Sequence, residues 1–449
     1  MLRDTWRGGL ALALLLAGSF AAAYSRTDMQ EFQLASPTHP WTATRVHRTT
    51  GNVQSIHGYR GSRTNSKSVA AILGAHHRRT ASTGYENITT TTAYGTQYAT
   101  VARWGNHSMM MLLDTGSADT WLVWRDFLCT DYYGSEIPQV ACGFGPAFPG
   151  DFQYGYVTPQ QHMYIQYGDG EVVTGPMGYA DITVGNITVK RQEVCLANRT
   201  YWQGNNMTSG LMGLAWPALT NAYFGPSEPP EDEDHSVGNR VEYSPLFTSM
   251  VSQGLVPPVF SIAIDRNSSS GILAWGGIPP ASGLDTSRIA TMDMIITSLI
   301  PVPATASEYS FYTIIPDGWQ YDQATDTKKY PYIMDSGTTL CYLPPSLAKA
   351  INQAFQPEAV YLWMYSAYFT SCNAIVPPIA VILNGFRFWL NPSDLIYRDM
   401  VDPITNLCMT AIASGGDGPY ILGDVFMQNA LVVFNVGAAQ MQFIPREFY

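Results

Sequence analysis

From about residue 90 onward, apolar positions come in short runs broken by Gly, Pro and Asn. Alternation and β-branched or aromatic content predict strands at 98–104 (YATVARW), 109–113 (MMMLL), 163–167 (MYIQY), 171–175 (EVVTG), 182–189 (ITVGNITV) and 259–264 (VFSIAI). Further strands are predicted at 272–277 (ILAWGG), 331–335 (PYIMD), 374–383 (AIVPPIAVIL), 420–425 (YILGDV) and 431–436 (LVVFNV). Helical spacing is confined to 244–254 (SPLFTSMVSQG) and 345–355 (PSLAKAINQAF). The acidic, Pro-rich stretch 225–239 is expected to be a solvated loop. The fold class is therefore mostly β, and 449 residues exceed what one ordinary core holds, so two lobes are expected.

Two apolar runs end on an acid, where desolvation is costly. LLDTGS at 112–117 and IMDSGT at 333–338 share one pattern: two apolar residues, Asp, hydroxyl, Gly, hydroxyl. Each half later carries two apolar residues and Gly, LMG at 211–213 and ILG at 421–423. The Asp-to-Gly spacings are 99 (213 − 114) and 88 (423 − 335). One such tetrapeptide is common by chance; two copies, each with the same lead-in and the same downstream partner, are specific.

The N-terminus adds a different kind of segment. Arg3 and Arg7 precede the apolar run LALALLLAGSF, and small residues follow at 21–23, the layout of a signal peptide over 1–23. That run is short for a membrane span, and no later segment is long and apolar enough, so no span is expected in the mature form. Residues 1–79 hold ten Lys+Arg against three Asp+Glu, a balance of +7, and five of the eight His. The remainder holds 14 against 32, a balance of −18 within the total of −11. The boundary is marked by the dibasic pair Arg78-Arg79. Residues 24–79 thus read as a basic prosegment bound to an acidic body, an attraction that weakens as carboxylates take up protons.

Secretory routing fits six sequons, at Asn87, Asn106, Asn186, Asn198, Asn206 and Asn267. It also fits six cysteines, expected to oxidise. Cys129–Cys142 would close a short Gly- and Tyr-rich loop and Cys372–Cys408 a longer one, leaving Cys195 and Cys341. The expected location is extracellular, or the lumen of a vacuole or lysosome.

Candidate chemistry narrows by elimination. After residue 79 only His107, His162 and His235 remain, in unrelated contexts. No H-E-x-x-H zinc motif, G-x-S-x-G elbow, phosphate-cradling Gly loop or dinucleotide fingerprint occurs. No metal or cofactor is implied, and the acidic body argues against nucleic acid. What remains is a carboxylate pair. If Asp114 and Asp335 meet, two like charges cannot both ionise cheaply, and the pair holds one proton over an acid range. One carboxylate then takes a proton from water while the other protonates the substrate carbonyl oxygen. Gly116 and Gly337 leave room for main-chain N–H groups, and Ser117 and Thr338 supply hydroxyl donors to the outer oxygens.

Over residues 90–449 the chain resembles the pepsin-like aspartic peptidases. LLDTGSADTWLVW and IMDSGTTLCYLP look like their two active-site loops, IQYGDGEVVTG like the flap hairpin, and SGLMGLAWPAL and YILGDVFMQNALVVFNV like the later signature stretches. The resemblance implies a bilobal fold with two pseudo-symmetric β-rich lobes, 80–285 and 286–449, and a cleft that takes an extended peptide. It makes Asp114 and Asp335 catalytic and Tyr167 the flap tyrosine, with Trp121 packed behind it. Gly168 and Asp169 at the flap tip, and Thr339 beside the second loop, would bind substrate. It further implies a monomeric acid endopeptidase made as a zymogen and inhibited by its own prosegment. The hairpin reading stands without it, since YGDG between two strand patterns is a turn rich in Gly.

Departures from the family pattern are local. ARWGNHSMMM, with the Asn106 sequon, replaces a glycine-rich turn; Ala118 replaces Ser, Glu171 a small hydroxyl residue, and Asn435 an Asp. Cys341 lies six residues after Asp335, an unusual place. Two other readings stay open on sequence alone. One is a catalytically silent binding or inhibitor protein on the same scaffold. The other is a two-carboxylate glycosidase, in whose chemistry twin loops and a flap have no role.

Overall fold

The computed structural model describes residues 50, 52–60, 96–168, 170–227, 234–266, 271–279, 284–285, 287–296 and 308–446. The expected signal peptide, the Arg78-Arg79 pair, Asn87, Asp169 and Asn267 lie outside the described residues. The architecture is mostly β, as the run lengths predict, and each half carries its own sheets.

An eleven-stranded sheet dominates the first half. Its centre is a hairpin of two long strands, Val172–Val184 and Ile187–Tyr201, followed by Thr120–Thr130, Gly210–Gly213, His107–Asp114 and Thr96–Trp104. The second half has a five-stranded sheet and two four-stranded ones. A six-stranded sheet joins the halves, in the order Val53–Ser55, Gly271–Trp275, Phe260–Ile264, Ala430–Asn435, Gln440–Pro445, Ala290–Asp293. The lobes therefore meet in shared strands drawn from both ends of the chain. Residues inside the stretch read as prosegment take part: Val53–Ser55 closes one edge of this sheet, and His57–Arg60 pairs with Thr96–Trp104 in the other. Between them Ile56 is fully buried.

Both halves build their acid-bearing loop in the same way. His107–Asp114 runs parallel to Gly210–Gly213, which places Gly213 opposite Asp114. Tyr332–Met334 runs parallel to Tyr420–Leu422. In each case the returning strand also pairs antiparallel with the strand after the loop. The register explains the distant apolar-apolar-Gly signals. A Cβ on Gly213 would lie 2.6 Å from the carbonyl oxygen of Asp119, and one on Gly423 only 2.1 Å from that of Thr338. The backbone of each acid loop passes too close for any side chain.

Three elements differ from the sequence expectation. The run 182–189 is a hairpin instead of one strand, because Gly185 at φ +57° turns the chain between Val184 and Ile187. The run 374–383 is strand only over Ile379–Leu383, because Pro377 and Pro378 have no N–H for a ladder. The run 420–425 ends as strand at Leu422; a short helix, Asp424–Met427, begins after Gly423 because the Asp424 and Val425 N–H groups donate to the carbonyls of Thr338 and Thr339. The two expected helices form at Leu246–Ser252 and Pro345–Gln353, the latter with Pro at its first position and Leu347, Ala348 and Ile351 turned inward.

Disulfides join Cys129 to Cys142 and Cys372 to Cys408, while Cys195 and Cys341 are buried thiols in separate core clusters. A buried ion pair, Arg266 Nε to Asp394 at 2.7 Å, ties the first half to the second, and Asn429 bonds to both partners. Of the described sequons, Asn106, Asn186 and Asn206 are exposed, and Asn198 is half-buried with its amide donating to Ser227.

Candidate active site

Asp114 and Asp335 end the two matched strands and come together at the junction of the halves. Both are more than nine-tenths buried. Each carboxylate lies in the same cradle. The Gly116 N–H donates to Asp114 Oδ1 at 2.7 Å and the Ser117 hydroxyl to Oδ2 at 2.5 Å. The Gly337 N–H donates to Asp335 Oδ1 at 2.9 Å and the Thr338 hydroxyl to Oδ2 at 2.6 Å. Charge-assisted bonds of this kind offset part of the desolvation cost.

The second residues of the two tetrapeptides brace the halves. Thr115 Oγ1 donates to the Met334 carbonyl at 3.0 Å and Ser336 Oγ to that of Leu113 at 3.0 Å. The Ser336 N–H donates to Thr115 Oγ1, and the Thr115 N–H to Ser336 Oγ. All four groups are buried, so the acids are fixed relative to one another by a closed set of bonds. Glycine is required at the third positions. A Cβ on Gly116 would lie 2.5 Å from Asp335 Oδ1, and one on Gly337 2.6 Å from Asp114 Oδ1.

The carboxyls of Asp114 and Asp335 face each other across Gly337, their Oδ1 atoms 2.6 and 3.2 Å from where a Cβ on that glycine would stand. Burial, and then the charge of Asp335, push the Asp114 carboxyl up to about 7, against the lowering effect of the Ser117 and Gly116 donors. Asp114 thus binds its proton well above the normal carboxylate range.

The hairpin of Gln161–Gln166 and Val172–Val184 hangs over this point. Its turn is closed by Tyr167 N–H to Glu171 O at 2.8 Å and Gly170 N–H to Tyr167 O at 2.9 Å, with Gly170 at φ +86°. Tyr167 and Gly168 line the cavity that contains both acids; Trp121 lies behind, fully buried, and its indole N–H donates to the Tyr167 hydroxyl at 2.8 Å. Trp202 packs edge-on against both rings. Thr338 lines the cavity, whereas Thr339 lies beneath it, its carbonyl taken by the Val425 N–H. Among the described residues no group of three or more His, Cys, Asp or Glu is arranged to hold a metal ion.

The family model "Eukaryotic aspartyl protease" matches residues 97–445. The chain belongs to that family. The protease is 35% identical over 367 residues to a probable aspartic-type endopeptidase of Aspergillus fumigatus, covering 78% of this chain and 79% of that one. It is 27% identical to gastricsin of Rattus norvegicus, covering 74% of this chain and 75% of the other. The crystal structure of an aspartic proteinase from Irpex lacteus shares the fold, with a TM-score of 0.59 at 18% identity over 78% of this chain and 95% of that one. The protein is accordingly a peptidase, and peptides are its substrates.

Sequence reasoning missed three parts of the protease's site. Thr115 and Ser336 entered only as the hydroxyl position of the repeated pattern, with no role, yet they carry the brace. Asp424 is fully buried beneath the acids, and neither of its oxygens has a hydrogen-bond partner among the described residues. Burial, and then the charges of Asp335 and Asp114, hold its carboxyl well above the normal range. Its only signal was an acid following the apolar ILG. Asp119, five residues after Asp114, is fully buried behind the flap, where Tyr243 Oη donates to it at 2.7 Å and Asn221 through both its N–H and its side-chain amide.

Proposed function

We propose that Asp114 and Asp335 are the catalytic pair of an acid endopeptidase. The observation that carries this reading is the meeting of two buried carboxyls, each held by its own Gly N–H and hydroxyl, with both Oδ1 atoms beside Gly337. One proton held between them leaves a carboxylate that takes a proton from water and an acid that donates to the scissile carbonyl oxygen. Water adds directly to the amide carbon, with no covalent enzyme intermediate. The flap hairpin closes over an extended peptide, excluding water and offering main-chain partners.

The same reading gives residues 1–23 to a signal peptide and 24–79 to an inhibitory prosegment, with lobes over 80–285 and 286–449. It makes the protein a secreted or vacuolar zymogen, monomeric, carrying N-glycans. The charge asymmetry between the first 79 residues and the rest supports this. The test is hydrolysis of denatured globin at acid pH after acid treatment, with Asp114→Asn and Asp335→Asn variants. Each variant should lose turnover by at least about a thousandfold with its melting curve retained. Full activity in either variant refutes the assignment.

A further inference from the structure

An uncharged stretch, 359–370 (AVYLWMYSAYFT), folds into a β-hairpin of Val360–Leu362 and Ala367–Thr370 in the second half. Val360–Leu362 is the outermost strand of its four-stranded sheet, and Val360 and Tyr361, which point to opposite faces, are both exposed. The arm therefore stands clear of the body, and its tip carries Trp363 at 78% exposure and Met364 at 41%. Main-chain bonds hold the tip in shape: the Tyr365 N–H donates to the Leu362 carbonyl at 3.0 Å and the Ser366 N–H to that of Trp363 at 3.2 Å. Tyr365 Oη donates to Asp402 Oδ1 at 2.7 Å, and Asp402 Oδ2 takes the Thr405 N–H at 2.7 Å and its hydroxyl at 2.5 Å. These bonds lay the tip beside the loop that carries Ile404, 76% exposed.

One exposed apolar side chain is ordinary, but several grouped on two cross-linked loops mark an interaction surface. Its place in the fold says what covers it. Leu362 and Tyr365, on either side of Trp363 and Met364, pack on a buried cluster that includes Tyr342 and Ile421, and those two line the cavity that contains the acids. A single cluster thus links the tip to the wall of the peptide-binding cavity. We propose that Trp363, Met364 and Ile404 form an exosite that holds an apolar segment of the protein substrate, outside the residues that fill the cavity. The arm has no charge of its own, so it selects apolar side chains, and its preformed tip loses little freedom on binding. The contact is made equally in the bound substrate and in the transition state, so it lowers KM and leaves kcat unchanged. This rests on the two-acid reading of the site and gives that site a second, distant point of substrate recognition.

The test uses peptides that share one cleavable core and carry an added segment on either side of it, rich in Leu and Phe or rich in Ser and Gly. They are hydrolysed by the acid-treated full-length protein and by its Trp363→Ala and Ile404→Ala variants. Both side chains are exposed, so the melting curves should be retained. In the wild type the apolar segment should raise kcat/KM over the polar one by about tenfold or more on one side of the core, through KM. Each variant should lose most of that gain while cleaving the bare core within about threefold of the wild-type rate. Equal rates on the two extensions in the wild type, or a loss in the variants that is the same on the bare core, overturns the proposal. So does a dimer, or binding to phosphatidylcholine vesicles, that the wild type shows and Trp363→Ala lacks, since a second copy or a lipid surface then covers the patch. Cleavage of the core with no effect of the extensions leaves the two-acid reading standing. Failure to cleave any peptide or denatured globin removes both.

Discussion

Glu193 gives a stability prediction that can be worked through in magnitude. It lies half-buried on Ile187–Tyr201, with Oε1 lacking a hydrogen-bond partner among the described residues. Burial, and then the charge of Asp119, raise its carboxyl from 4.5 to about 7. A carboxyl whose pKa rises on folding binds its proton more tightly in the native state. Its favourable contribution is complete below about pH 4.5 and is lost as the pH rises through 7. At about 1.4 kcal/mol for each pH unit of displacement, the full difference is roughly 3 kcal/mol. Solvent screening of a half-buried group reduces that to about 1–2 kcal/mol. Glu193→Gln removes the titration with little change of shape. Thermal melts at pH 4 and pH 7 should then show equal midpoints for the two proteins at pH 4. At pH 7 the variant should melt higher by a few degrees, since each kcal/mol is worth roughly 2–4 °C for a large domain. The same offset at both pH values, or a variant less stable at pH 7, would refute the argument.

Other outcomes follow from the site. Gly116→Ala forces a Cβ against Asp335 and should lower kcat by about a hundredfold or more with far-UV circular dichroism unchanged, because the reacting groups are displaced by about an ångström. Trp121→Phe and Tyr167→Phe each delete the 2.8 Å indole–phenol bond. Each should cost about three- to tenfold in kcat/KM, and the double variant should cost less than their product; full additivity would mean that the bond plays no part. Cys341, buried and with its thiol pushed up to about 12, should resist a thiol-reactive chromophore at pH 8 in the native protein, as should buried Cys195. Both should react at once in denaturant without reductant, and rapid native labelling would contradict the burial.

The parts of the site that could be read from the chain are those whose chemistry is local. An acid loop writes its own cradle within four residues, so Asp114, Gly116 and Ser117 announce one another, as do Asp335, Gly337 and Thr338. The flap was legible for the same reason: turn glycines between two strand patterns. What could not be read depends on partners far away in sequence. The brace is visible only once residues 115 and 336 are neighbours, 221 positions apart. Asp424 reads as the continuation of a strand until the Thr338 carbonyl turns the backbone into a helix beneath the acids. Thr338 and Thr339 are alike as letters, and only the fold shows that the first faces the cavity. The six-stranded sheet that joins the lobes was equally hidden, since its strands come from residues 53–55, 260–293 and 430–445.

The strands at Val53–Ser55 and His57–Arg60 separate cutting from departure. They lie upstream of the Arg78-Arg79 pair, yet each is laced to a different sheet, and the Ile56 side chain is locked between them. A nick after Arg79 would sever the polypeptide while leaving this stretch stitched in place by main-chain bonds to Gly271–Trp275 and Thr96–Trp104. Its removal would strip two ladders and uncover a core methyl cluster, so the freed piece behaves as a tightly held subunit rather than as a shed leader.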